Sequence, residues 1–376
     1  MYQIKKIQIL PFALPLQDSF NTAHSAMALR QLSLLTVDFL DLDTGRIVSG
    51  FGEIEALETP GYAMETQATS REIIESYLGP ALIKQSFAQP KDLANFLRQL
   101  TPFYSFAKAG LELAFWDAVG KSTGQSLVQM LGAQLNEVPV GIAIGTQPSF
   151  DEQKKKVQAA IEAGYQRIKL KFSGKNFNAE QLKKLLHAFP EQHFSIDANA
   201  SFTWSQAQQL NSLPSNLLFV EQPFAAGDFV EHARFQATSP RPISLDESIN
   251  NLDDLKTMAA LRAGQALTLK WSKIGGLTAA LQAIQYCQAH QIQPWISGMF
   301  SSDIGRAVDL ALSATLPNTY PADISASDRY FKEDIADEEF VVEGGSIAVP
   351  QIPGLGIRPN PTKVEKFQTG DRIEIF

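Results

Sequence analysis

Five residues of this chain have the types and the spacing for acid–base chemistry around a metal ion. Lys171 in RIKLKF, Asp197 in FSIDAN, Glu221 in LFVEQP, Asp246 in ISLDES and Lys270 in LTLKWS each end a short apolar run, in steps of 26, 24, 25 and 24 residues. Three carboxylates brought together repel one another, and a hard divalent cation relieves that repulsion. An all-oxygen set suits Mg²⁺, with Mn²⁺ as a substitute, and offers zinc neither His nor Cys. A lysine on each side of such a cation suits removal of a proton next to a carboxylate. Free lysine titrates near about 10.4 and a base working at neutral pH needs about 7–8, so Lys169, the cation and burial are expected to bring Lys171 down.

A step of that length holds a strand, a loop, a helix and a second loop, the repeat of a βα barrel, whose reactive residues sit at the carboxyl ends of strands. From Val138 the chain alternates strand and helix in this way, with YPADIS as a short eighth strand. The spacing predicts an α/β catalytic domain over 135–325, a (β/α) barrel. Strand periodicity turns Lys169 inward with Lys171, and Asn199 with Asp197. In an eight-strand ring strands two and six are opposed, so Lys171 and Lys270 face each other across a substrate. Before the barrel, strand-like runs and an Asp43-Thr44-Gly45 turn give way to helical periodicity, an α+β unit over 1–134 that caps the barrel. Its polar segment Gln17–Ala28, with Phe20 and His24, is expected to be a loop that closes over the barrel mouth. Residues 326–376 are expected to return to the capping unit.

Isolated charges at strand ends are most often caps or loop ion pairs. Five at one phase of a repeat are not. All five histidines fall off the strand ends, which excludes a histidine base there. Gly275-Gly276 lacks a Walker-type lysine, so a tight turn into a helix is favoured over a phosphate cradle. The formal charge of −8 argues against nucleic acid or an anionic membrane as partner. The single Cys287 fits a reducing compartment and reads as buried filler. Lys5 and Lys6 before ILPFALPL imitate a signal peptide, but prolines break the apolar run, and a cytoplasmic protein is expected.

Lys-x-Lys on strand two, Asp, Glu and Asp on the next three strands and Lys on strand six resemble the muconate-lactonising-enzyme branch of the enolase superfamily. That resemblance implies an enolase-type modified TIM barrel with an N-terminal capping domain. The stretches AKAGLELAFWDA (107–118), YQRIKLKF (165–172) and DISASDRYF (323–331) are similar to the o-succinylbenzoate synthase and N-succinylamino acid racemase family. The resemblance implies Mg²⁺ on Asp197, Glu221 and Asp246, with Lys171 as base, Lys270 as the opposed lysine, and Lys169 and Asn199 in support. It implies a small carboxylate substrate, touched by Phe20, His24, Ser297, Gly298 and Met299, and is compatible with a homo-oligomer. Two activities are implied: dehydration of 2-succinyl-6-hydroxy-2,4-cyclohexadiene-1-carboxylate to 2-succinylbenzoate in menaquinone synthesis, and, as the alternative, racemisation of an N-succinylamino acid. A barrel that binds an acidic metabolite without turnover would have no use for two opposed lysines. No histidine stands at the strand-seven end, unlike mandelate-racemase relatives, and Asp323-Ile324-Ser325 replaces the Asp-x-Asp of dipeptide epimerases. The chain departs from its own group at Ser297–Ser302 and at Lys270-Trp271-Ser272-Lys273, both expected near the pocket.

Overall fold

Short, nearly continuous apolar runs fold as strands buried on both faces, and parallel neighbours need a crossover helix between them. Seven such strands, Gly141–Ile144, Arg167–Lys171, His193–Asp197, Leu217–Glu221, Ile243–Leu245, Ala266–Leu269 and Gln293–Ile296, pair in parallel in their sequence order. The computed structural model describes residues 1–21 and 26–376, with side chains described outside 18–27. The eighth strand expected at YPADIS is reduced to two residues. Ala322 bridges Val140 and Asp323 bridges Ser297, both in parallel, which joins strand one to strand seven. Pro321 brings no N–H to the ladder, which limits pairing on its side.

The crossover helices begin where side-chain oxygens can satisfy their free N–H groups. Ser149, Asn178, Thr203, Asp228, Asn251 and Ser302 each accept a hydrogen bond from a first-turn N–H. Each cap contributes about 1 kcal/mol and, more usefully here, fixes where a strand-end loop stops. The helix after Gly275-Gly276, Leu277–Ala289, has no such cap of its own. Glu112 supplies one from a distance: its Oε1 accepts from Thr278 N–H at 2.8 Å and from Thr278 Oγ1 at 2.6 Å. A Cβ on Gly276 would lie 1.9 Å from Glu112 Oε2. The glycine pair therefore makes room for a carboxylate of the same chain at this helix start.

In the N-terminal part, strands Tyr2–Asn21, Ala26–Asp41 and Ile47–Ile54 form an antiparallel sheet, and Ile373–Ile375 adds to its edge beside the first. The loop expected over Gln17–Ala28 is instead strand on both sides of residues 22–25, because the first two strands keep pairing beyond their apolar run. Pro15 pairs with Leu29, and beyond an irregularity Phe20 pairs with Met27. Helix Ser105–Thr123 lies on the third strand, where Gly50 and Gly52 allow backbone contact: a Cβ on either would meet Ala114 O or Gly110 O at 1.8 and 2.0 Å. Phe39 stacks on Phe115 at 4.9 Å in the core between them. Cys287 is fully buried, and burial pushes its thiol up to about 12, which suits filler and not a nucleophile. Among the described residues no helix is long and apolar enough to cross a membrane.

Candidate active site

Strand register assembles the site. Lys171 stands opposite Asp197 and Asp197 opposite Glu221, so three functional side chains sit at one level on neighbouring strands. Glu221 also pairs with Ser244, which places Asp246 one step further out on the next strand. Lys169, Lys171, Asn199, Asp246 and Lys270 all line a cavity of about 480 Å³ at this end of the barrel. Ser297, Gly298 and Met299 line it as well, with Phe300, Asp323 and Tyr330. His24 and the side chain of Phe20 lie outside the described residues.

The charges interleave. Lys171 Nζ lies 2.9 Å from Asp197 Oδ2, and Lys270 Nζ 2.7 Å from Asp246 Oδ2. Lys169 Nζ is 2.6 Å from Asp323, 3.2 Å from Glu221 and 3.8 Å from Asp197. Asn199 holds Asp197 twice, through its backbone N–H to Oδ1 at 2.9 Å and its Nδ2 to Oδ2 at 3.2 Å. Burial alone would raise the Asp246 carboxyl, but Lys270 and Lys273 hold it far below the usual carboxylate range. Asp197 is likewise held down against burial by Lys171 and Lys169. Glu221 is the exception: burial, with Asp197 and Asp246 nearby, pushes it up to about 8 despite Lys169.

Lys171 differs from expectation. Burial, the largest influence, pushes its ammonium down, but the charge and hydrogen bond of Asp197 together with Glu221 overcome it and hold Lys171 above the ordinary lysine range. The repulsion from Lys169 is present and smaller than the attraction of Asp197. A neutral Lys171 therefore requires Asp197 to be drawn to another positive charge.

The donor set fits a hard cation chemically. Neither carboxylate oxygen of Glu221 accepts a hydrogen bond from any described residue, and the positive charge beside them, Lys169 at 3.2 Å, is shared with Asp323 and Asp197, so the carboxylate is under-compensated for its burial. Among the described residues no three His, Cys, Asp or Glu groups converge at metal-ligand geometry, because Asp197 and Asp246 are turned to lysines.

Several residues here escaped the sequence reading. Tyr62, from the loop after the third strand, donates its hydroxyl to Asp246 Oδ1 at 2.5 Å and accepts from Lys270 Nζ at 2.8 Å. Its ring lies under both Lys270 and Lys273, at 4.6 and 5.1 Å. Glu247 lines the cavity beside Asp246, and burial pushes it up to about 7. Asp323 is the partner of Lys169. Only Asp323 had a signal, its place in the eighth strand run.

The departures at strands six and seven divide between two roles. Ser297 to Ser301 line the cavity, whereas Ser272 and Ser302 hydrogen-bond to glutamates at the end of the third strand of the N-terminal sheet and just beyond it. Glu53 accepts from Ser302 N–H at 3.0 Å and from its hydroxyl, and Glu55 accepts from the Ser272 hydroxyl. Arg30 sits beside both, donating to Phe300 O at 3.1 Å and Ala56 O at 2.9 Å. Burial first, then each group's acidic neighbour, pushes Glu53 and Glu55 up to about 8 from 4.5. The folded state thus keeps protons that the unfolded chain releases, so stability falls as pH rises from about 4.5 to 8 and levels beyond. Urea midpoints should drop over that window in wild type and drop less in Glu55→Gln. Parallel curves would contradict a protonated Glu55.

Residues 152–363 match the enolase C-terminal domain-like family, and residues 12–132 match the mandelate racemase / muconate lactonizing enzyme N-terminal domain. The chain belongs to the enolase superfamily, with its modified TIM barrel and N-terminal capping domain. Within it, an o-succinylbenzoate synthase of Enterococcus faecalis is 34% identical over 98% of this chain and 99% of its own. An N-succinylamino acid racemase of Thermus thermophilus is 33% identical, covering 98% of both chains. The crystal structure of an enolase-superfamily member from Listeria innocua superposes with a TM-score of 0.93 at 30% identity, over 100% of this chain and 99% of that one.

Proposed function

We propose that this protein is an o-succinylbenzoate synthase, dehydrating 2-succinyl-6-hydroxy-2,4-cyclohexadiene-1-carboxylate to 2-succinylbenzoate in menaquinone synthesis. The observation that carries the reading is one cavity lined by Lys171, Asp246 and Lys270, with Asp197 and Glu221 buried on the strands between the two lysines, in register with Lys171 and outside the cavity lining. Asp197, Glu221 and Asp246 would hold Mg²⁺, which when bound supplies positive charge opposite the substrate carboxylate.

Lys171 Nζ takes the proton from the carbon bearing that carboxylate, breaking the C–H bond. The same ammonium then gives the proton to the departing hydroxyl, so the C–O bond breaks, water leaves and the ring becomes aromatic. Lys169, held by Asp323, remains charged beneath Lys171. Lys270 acts as a fixed cation facing the charge that develops on the carboxylate oxygens. Lys171 acts as the base only in its neutral form, which the pull of Asp197 opposes; Mg²⁺ on Asp197 would weaken that pull.

N-succinylamino acid racemisation uses the same parts, with both lysines exchanging protons. One observation favours the synthase. Apart from its ion pair with Asp246, itself a proposed metal ligand, Lys270 Nζ is held by the Tyr62 hydroxyl at 2.8 Å and lies over the Tyr62 ring at 4.6 Å, a seat suited to a static charge that does not depend on the metal ligands. Purified protein given the cyclohexadiene substrate should consume it with Mg²⁺ and stop on chelation. No consumption with either Mg²⁺ or Mn²⁺ would overturn the proposal.

A further inference from the structure

Gln222 follows the central carboxylate Glu221, is fully buried, and holds φ at +37°, a left-handed conformation uncommon outside glycine. Such backbone persists only where its surroundings over-determine it. Here both backbone and side chain are fully engaged. Its N–H donates to Ser244 O at 2.9 Å on strand five, and its carbonyl accepts from Ala200 N–H at 2.9 Å beyond strand three. Its Oε1 accepts from Asp246 N–H at 3.0 Å and from Ser248 N–H at 3.2 Å. Its Nε2 donates to Phe224 O at 3.0 Å and to Ser248 Oγ at 2.7 Å.

One residue thereby ties together the three strand ends that carry Asp197, Glu221 and Asp246. The pattern also specifies an amide. Two N–H donors face one end of the side chain, while a carbonyl and a hydroxyl face the other. A carboxylate in the same place would serve the first pair and repel the Phe224 carbonyl. His232 completes the frame: its Nδ1–H donates to Asp228 O at 2.6 Å, and its Nε2 accepts from Phe224 N–H at 3.3 Å.

We infer that Gln222 is the positioning residue that sets the spacing of the three carboxylates for a divalent cation. The inference rests on the metal site proposed above. Its role is geometric, since Gln222 itself touches neither substrate nor cation.

The test is Mn²⁺ titration of the folded protein, read from the electron paramagnetic resonance of free Mn²⁺, with the melting temperature measured alongside. Gln222→Glu should weaken Mn²⁺ binding at least about tenfold. Leu185→Ala, a core truncation on the helix after strand two, should lose stability and keep the wild-type Kd, so instability alone does not move the readout. Wild-type affinity in Gln222→Glu, however low its melting temperature, overturns the inference. Should that variant fail to fold, Ser248→Ala carries the test: about threefold weaker Mn²⁺ binding supports the inference and an unchanged Kd overturns it. Wild-type protein that binds no Mn²⁺ overturns the metal site itself, a failure distinct from either variant result.

Discussion

Lys171→Ala should reduce dehydration by several orders of magnitude, the largest effect of any single substitution considered. General base and general acid roles each contribute about 10²–10⁴-fold, and one nitrogen performs both in the proposed reaction. The substitution also frees Asp197 from its 2.9 Å ion pair, so metal binding should be retained or tightened while turnover is lost. Mn²⁺ titration beside the dehydration assay separates the two effects. Turnover within tenfold of wild type would remove Lys171 from the role of base.

Glu221→Gln should have the opposite profile. Its carboxylate has two buried oxygens that accept no hydrogen bond from the described residues, and burial raises its pKa to about 8 despite Lys169 at 3.2 Å, so in the metal-free protein the ionised form costs stability. Replacing it by an amide of the same shape should leave the metal-free protein at least as stable at pH 8. Metal affinity should fall about 100-fold or more, since even groups that only support ligands are worth 10–100-fold. Thermal melts of the chelated protein and Mg²⁺-dependent turnover check the two halves. A destabilised apo variant that still turns over with Mg²⁺ would contradict the assignment of Glu221 as a ligand.

Much of this site was legible because barrel strands repeat. Asp197, Glu221, Asp246 and the lysines end apolar runs at a constant step, and parallel register turns that step into neighbours in space. Asn199 followed from strand phase. Tyr62 could not be read this way. It lies in the Pro60-Gly61 loop, which has no period, and reaches Lys270 across 208 residues of chain. The same is true of Glu55 and Ser272: a docking contact between two layers leaves no mark in either local sequence. The departures at Ser272 and Ser302 therefore looked like pocket changes, whereas both hydroxyls receive capping glutamates. The eighth strand was legible as a run but not as two bridging residues, since Pro321 brings no N–H to the ladder. The charge state of Lys171 depends on a balance between burial and one carboxylate, and that balance is a matter of distance.

The central claim is dehydration with Lys270 as a fixed cation. Its most direct test is a parallel assay of purified protein with Mg²⁺ in D₂O. One arm follows loss of the cyclohexadiene absorbance, and the other follows, by NMR and polarimetry, exchange and inversion at the α-carbon of N-succinylphenylalanine. Rapid dehydration with slow or absent inversion is the predicted result. Efficient inversion with poor dehydration would contradict it, and would make Lys270 a second proton-transfer group despite its contact with Tyr62.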